Sequence, residues 1–427
     1  MPNVLYVAGE KFNVLERSSL VVFIVGDQVA LFPLSNAYAG RPSRPAQFEP
    51  HESGVFRFRA DTNQLANDDF ETWPLTTWTV DELGGTGTVE QTMVGAEVHA
   101  GTSAAKLTGG DNGVRVYQDI TARSGEKRRI DAWLVGDGTA NGVGIRIQNL
   151  RTGRYLTSAG AWQTTATNCL SRTTATYGQV NLSYTVESFT RCHSDLVTLR
   201  VEVIALATVE VFADDVRDWP AVDMLSLHGV NLEDCTTIAW STSDDGSTFG
   251  DTVTLGDAAA GFSADQRPTM YYKRASTVQD KPWHDLHFVG STALAFTPEI
   301  GQIILAQVAT AARNYDWRSE LQLRHERITN ETGAGDRHVY RRTRWPSRVF
   351  GANWQFTTDA EMRESRDDLF SRAGGDALNV LLVPDDSQNV VLLGRIDHTW
   401  SVQRAFTSHY TEHQMSLAEL PFAPVAL

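Results

Sequence analysis

The sequence predicts a mainly β protein: two β-sandwiches, one inserted into the other, and a C-terminal α+β domain with a single helix. Three observations lead there. Residues 55–59 (VFRFR), 114–120, 129–135 and 143–149 alternate apolar and polar side chains with a period of two, which sends one face of a strand into a core and the other outward. Asp245-Gly246 between two apolar runs is a strong short-range hairpin signal. A convincing helix start occurs in one place, the capping box Thr358-x-x-Glu361.

With 427 residues the chain holds two or three domains, each large enough to bury its own core. Hydrophobic content of 41% and 21% charged residues are ordinary for a soluble globular protein. No run of 18 apolar residues exists, so no membrane-spanning helix is expected. The apolar stretch 20–25 is too short for a signal-peptide core and reads as a strand, so export by that route is not expected. A formal net charge of -15 opposes a general affinity for the phosphate backbone, which argues against nucleic acid as a partner. Three cysteines (Cys169, Cys192, Cys235) are too few and too scattered for a disulfide framework or a zinc site. A Cys169 to Cys192 bridge stays open, and reduced thiols are the expectation for a protein made in a cytoplasm.

Taken in order, residues 1–64 read as short strands (4–8, 20–25, 30–32 and 55–59) interrupted by the irregular loop 32–45, FPLSNAYAGRPSRP. That piece is too short to be a domain alone. Its partners are expected after the insertion, in residues 223–232, 237–249, 282–289 and 300–305. Residues 1–64 with 218–315 thus form one discontinuous sandwich, and residues 65–217 form a module spliced into an exposed loop, which folded domains tolerate. Residues 316–427 make the α+β domain. Its helix carries Met362, Leu369, Phe370 and Ala373 on one side and stops at Gly374-Gly375, with strands at 378–383, 390–396 and 410–417 around it.

The insertion opens on the acidic turn run 67–73 (NDDFETW) and closes on the strand 209–216 (VEVFADDV). This pair resembles the opening and closing strands of the jelly-roll carbohydrate-binding modules that accompany xylanases and glucanases. The resemblance implies a structural Ca2+ where the two ends meet, on Glu71 and Asp214 with Asp69 as a further ligand. Carboxylate-rich ends suit that hard cation. Elsewhere, LSNxxxGRPSRP at 34–45, HGxNL at 228–232 and SxSDDGSTF at 241–249 resemble the discoidin-like jelly roll of tail proteins of tailed bacteriophages. The segments GGDALxVLLVPD at 374–385, GRI at 394–396 with Trp400, and MSLAELPF at 415–422 resemble the C-terminal part of phage distal-tail and tail-tip proteins.

Motifs for catalysis fare poorly. His409-Tyr-Thr-Glu-His413 matches a zinc-protease pattern that requires a helix, yet it leads into Met415 and Leu417 at strand spacing. In a strand the two histidines stand roughly 13 Å apart, beyond the reach of one metal ion. His284-Asp-Leu-His287 lies in an aromatic strand pattern and lacks a third ligand. The basic run 337–348 has five arginines and two aromatics; in so acidic a chain it suits acidic neighbours in the fold or a partner subunit better than phosphate. No P-loop, dinucleotide fingerprint or nucleophile elbow is present. A carboxylate pair for glycoside cleavage is a spatial relationship that 52 acidic residues leave open.

One constellation points to a ligand. Within the insertion, alternation assigns Val114, Val116, Ile120, Ile130, Ala132, Leu134, Val143, Ile145 and Ile147 to core faces, and Arg115, Tyr117, Trp133, Arg146 and Gln148 to the opposite faces. A sugar ring has apolar C–H faces and equatorial hydroxyls, so it is held by an aromatic plate and by planar side chains that give or accept paired hydrogen bonds. Tyr117 and Trp133 supply plates, Arg115, Arg146 and Gln148 supply hydrogen bonds, and Tyr155 and Trp162 in nearby loops are further plates. With the resemblances, this implies a non-enzymatic virion protein at the distal end of a phage tail, a minor tail or tail-tip protein assembled in the host cytoplasm. Its expected partners are other tail proteins, in a homo-oligomeric ring or tail-tip complex, and host-surface polysaccharide, to which the inserted module attaches. Two other classes stay open: a carbohydrate-binding protein associated with a glycoside hydrolase, and a purely structural tail adaptor without a ligand.

Overall fold

Antiparallel strand pairing accounts for nearly all the regular structure of the computed structural model. It describes residues 5–8, 22–25, 46–47, 53–59, 63–138, 142–187, 196–206, 209–230, 232, 235–256, 270–290, 299–307, 309–310, 320–324, 327–331, 337–341, 347–354, 357–358, 380–385, 390–396, 401–406 and 409–419. Among them a single 3-10 turn, Gly95–Glu97, is the one helical element, and the protein is mainly β as its alternation predicts. The expected helix after Thr358 lies outside the described residues. Two compact units emerge: Met1–Ala60 with Val222–Leu427, and Asp61–Ala221.

In the first unit, strands from both sides of the insertion share sheets. Ser53–Arg59 lies between Val22–Val25 and Trp283–Gly290, in a five-stranded sheet that continues through Cys235–Ser243 to Gly250–Gly256. Ala46–Gln47 joins the edge of a four-stranded sheet with Glu299–Ala306, Val222–Val230 and Met270–Gln279. The hairpin after Ser243 turns through Gly246 at φ +72, where a Cβ would meet the Trp283 ring at 2.9 Å, so only glycine fits. His284 of the HxxH pattern is buried and accepts the Trp240 indole N–H at 3.0 Å, and burial lowers its pKa to about 3. It is a core acceptor.

One assignment is corrected. Leu5–Ala8, placed in the sandwich by the sequence reading, pairs instead with Val380–Asp385 and Ala309–Thr310 in a nine-stranded sheet built mostly from the C-terminal region. A run of four apolar residues indicates a strand and says nothing about which neighbour it takes. His409–Glu419 is one continuous strand of that sheet, as the spacing of Met415 and Leu417 predicts. Arg348, from the basic run, is buried with Glu419, its Nη2 donating to Oε1 at 2.6 Å.

The second unit is a sandwich of two sheets. Its strands are β1 (Thr79–Asp81), β2 (Thr88–Thr92), β3 (Ala104–Thr108), β4 (Val114–Arg123), β5 (Lys127–Val135), β6 (Val143–Asn149), β7 (Arg154–Leu156), β8 (Trp162–Gln163), β9 (Leu170–Arg172), β10 (Gly178–Thr185), β11 (Leu196–Ala205) and β12 (Glu210–Pro220). One sheet runs β8-β7-β6-β11-β4-β1, with β9 also on β6; the other runs β10-β5-β12-β3-β2. All nine residues the alternation assigns to core faces are buried in one cluster between the sheets, with Leu199, Val201, Val203, Val211 and Ala213. Burying such side chains contributes about 1.5–3 kcal/mol each.

The polar exception on the inward face of β4, Gln118, is used. Its Nε2 donates to the Ala66 carbonyl at 2.6 Å and its Oε1 accepts the Ala66 N–H at 3.1 Å, so it acts as a short strand partner for the entering chain. The two ends of the unit also meet: the Gln64 N–H donates to the Asp218 carbonyl at 3.1 Å, and the Asn63 Oδ1 accepts the Asp218 N–H at 2.9 Å. Cys169 and Cys235 are buried thiols outside any disulfide, and Cys192 lies outside the described residues.

Candidate functional site

The outward face of the larger sheet is set by three central strands. Alternation on β4, β11 and β6 sends Val116, Val203 and Ile145 inward, and register then lines up the outward residues in rows. Tyr117, Glu202 and Arg146 form one row, with Thr79 of β1 beyond Tyr117. Asp119, Arg200 and Gln148 form the next, extended by Tyr155 on β7 and Gln163 on β8. Arg115 and Gly144 stand in the row on the other side, joined through Ile204. Five of the seven expected ligand residues, Arg115, Tyr117, Arg146, Gln148 and Tyr155, therefore share one face, and all five are half-buried.

Charges on this face are paired. Arg115 donates from Nη2 to Asp81 at 2.7 Å and from Nη1 to Glu202 at 2.6 Å. Arg200 donates from Nε and Nη2 to the two oxygens of Asp119, at 2.8 and 3.0 Å, and its guanidinium lies 4.0 Å from the Tyr117 ring centroid. Arg146 approaches Glu202 at 3.7 Å, donates to Asn168 Oδ1 at 3.2 Å, and sits 5.8 Å from the Tyr155 ring. Burial pushes the Glu202 carboxyl above its ordinary range, opposed by Arg115 and Arg146. Asp81 is held below its range by the Leu83 N–H and by Arg115. Asn168 lies across the open flank of Gly144, where a Cβ would come within 2.1 Å of its Nδ2.

Arg200, Glu202 and Asn168 were not among the expected site residues. The run LVTLRVEVIA of β11 carries the same alternation as β4, and reading it would have found the first two. Asn168 sits in a loop, where no periodicity reports direction.

Two expected plates are elsewhere. Trp133 projects from β5, in the other sheet, between Gln179 and Asp214 in register, and the His99 imidazole stacks on its indole. Trp162 pairs with Leu156, which points into the core, so it shares the inward side; it packs on the core and its Nε1 donates to the Thr185 carbonyl at 2.8 Å. The single groove expected from Trp133 with Tyr117 is therefore split by the thickness of the sandwich, because alternation fixes the parity of a residue but not its sheet.

The carboxylates expected to hold calcium have protein donors. Glu71 accepts three hydrogen bonds, from the N–H groups of Thr102 and Ser103 at 2.6 and 3.0 Å and from the Thr102 hydroxyl at 2.5 Å, while the Ser103 hydroxyl donates to the Phe70 carbonyl at 2.9 Å. A carboxylate offers about four acceptor positions, and three of those on Glu71 are taken by protein donors. The Thr102 hydroxyl leads in holding its carboxyl below the ordinary range. Asp214 accepts the N–H groups of His99, Ala100 and Asp215 at 2.9, 3.1 and 2.9 Å. Asp69 accepts the Glu71 N–H at 3.3 Å. Loop 99–103 thus puts backbone donors on Glu71 and Asp214, where the resemblance puts a metal ion. Among the described residues, one cluster has ligand atoms all within 4.8 Å of one another: His99, Asp214 and Asp215, with His99 Nδ1 at 2.9 Å from Asp215 Oδ2. Asp215 takes φ +47 at a bulge in β12, and its other oxygen accepts from Arg217.

No protein-family model matches this chain, and no curated protein matches its sequence. Solved structures give partial likenesses. The enzymatically active domain of bacteriophage CBA120 tailspike protein 4 is 14% identical with a TM-score of 0.26, over 37% of this chain and 21% of that one. The chain thus spans about a fifth of that tailspike domain's length. TmCBM61, solved with beta-1,4-galactotriose, is 17% identical with a TM-score of 0.25, over 37% of this chain and 98% of that one. The CBM22-1 xylan-binding domain of Paenibacillus barcinonensis Xyn10C is 14% identical with a TM-score of 0.26, over 36% of this chain and 91% of that one.

Proposed function

We propose that residues 61–221 form a glycan-binding module, with its site on the outward face of β4, β11 and β6, and that the protein displays it at the distal tail of a tailed bacteriophage for attachment to host-surface polysaccharide. One observation carries the binding reading. Arg115, Tyr117, Arg146, Gln148 and Tyr155 converge on one sheet face, and all five are half-buried where a simply solvated face would leave long polar side chains out in water. Planar donors and acceptors beside a tyrosine ring are the complement of a sugar. Support for the tail assignment comes from the motifs at 34–45, 228–232, 241–249 and 374–385. A shallow sugar site binds weakly, and several copies in a symmetric tail assembly supply avidity.

The test is retention of the full-length protein on immobilised polysaccharides, with reducing ends assayed in parallel. Retention without release of reducing ends is the expected result. Release would make it a glycosidase, and failure to bind any glycan would leave the structural adaptor as the better reading.

A further inference from the structure

Within that proposed face, two polar atoms have no hydrogen-bond partner: Oε2 of Glu202 and Nε of Arg146, both buried. They belong to neighbours, since Arg146 Nη1 lies 3.7 Å from the same Glu202 oxygen. Every other charge on the face is matched. Arg115 is shared by Asp81 and Glu202 and Arg200 is held by Asp119, so three guanidiniums, counting Arg146, stand against three carboxylates and the sum is zero. Leaving a buried donor and a buried acceptor unmatched is costly, and a ligand that satisfies both recovers that cost on binding.

We infer that the unmatched pair selects a neutral ligand hydroxyl, and hence an uncharged polysaccharide; the inference rests on the glycan reading above. A hydroxyl donates one hydrogen bond and accepts others, so a single O–H can donate to Glu202 Oε2 while it accepts from Arg146 Nε–H. A ligand carboxylate or sulfate has no proton to give and meets the Glu202 charge. An ammonium group meets three arginines. Asn168, bonded to Arg146 and lying across Gly144, borders the pair. Because no net charge is neutralised, binding has little to lose when salt screens the face.

The experiment measures binding of the full-length protein to xylan, β-1,4-galactan and mixed-linkage β-glucan against polygalacturonate and alginate, at 50 and 300 mM sodium chloride. At least one neutral glycan is expected to bind with less than about a twofold change across that salt range. Glu202→Gln, which puts a second donor where the hydroxyl must donate, is expected to weaken that binding about tenfold or more. Should Glu202→Gln fail to fold, the glycan comparison decides alone. Preference for a uronate polymer, weakening as salt rises, overturns the inference and leaves glycan binding standing. Unchanged binding by a folded Glu202→Gln also overturns it. If no polymer of either class binds, the glycan reading itself falls, and the inference with it.

Discussion

The imidazole of His99 lies flat on the indole of Trp133, with ring centroids 3.6 Å apart and planes 12° from parallel. Tyr177 closes in at 5.9 Å and its hydroxyl donates to the Glu97 carbonyl at 2.7 Å, so the loop before β3 is pinned to β5 and to the start of β10 by aromatic contacts. The indole face that could stack on a sugar is already in use.

Truncating Trp133 is therefore expected to act on stability. Trp133→Ala should lower stability by about 2 kcal/mol, the sum of lost stacking and lost buried area, and leave glycan affinity unchanged. Thermal melting and a glycan-binding isotherm on the same preparation check both halves.

Tyr155→Ala is expected to do the opposite. The ring stands on the proposed face beside Arg146, on a short outer strand with few partners, so its loss should weaken glycan binding by about 1–3 kcal/mol with little change in melting temperature. Equal affinities for wild type and Tyr155→Ala would remove it from the site.

Loop 99–103 is expected to hold the module's ends without calcium. The full-length protein should melt at the same temperature in chelator and in millimolar calcium, since a cation bound only by the native state would raise that temperature with its concentration. Glu71→Ala should destabilise by about 2 kcal/mol because two backbone N–H groups and the Thr102 hydroxyl lose their acceptor. Gly101→Ala should destabilise too: its φ is +73, and the added Cβ would meet Glu71 Oε1 at 2.0 Å.

A pH effect follows from Asp214. Burial raises its carboxyl to about 6, opposed by the amides of Ala100 and His99 and reinforced by Asp215. A raised acid binds its proton more tightly folded than unfolded, so between about pH 4, the unfolded value, and pH 6 the native state holds more protons and stability falls as pH rises. Above pH 6 the contribution is flat. Denaturant unfolding of the wild type and of Asp214→Asn across pH 4 to 7 should show the wild-type slope reduced in the variant.

Much of this was legible in the residues. The inward side chains of β4, β5 and β6 could be named because a period of two is a local property, and Asp245-Gly246 marked its hairpin because only a glycine fits against Trp283. What strands do after they form was not legible. Trp133 and Tyr117 have the same parity in their strands, and nothing local to either says that β5 and β4 end in different sheets. Leu5–Ala8 chose a partner more than 370 residues away in sequence by tertiary fit. The donors on the acidic ends were hidden for a related reason: Glu71 and Asp214 carry the acidic signature of a metal site, but the N–H groups of loop 99–103 that bond them leave no trace in side-chain chemistry.

The hydrogen bond from Gln64 to Asp218 places the points where the chain enters and leaves the insertion side by side. A segment with adjoining ends can be spliced into almost any surface turn without stretching the recipient, and a homologous segment with a different face can replace it at the same two joints. That geometry makes the character of the outward face a matter of exchanging one continuous stretch of sequence, with the two joints left as they are.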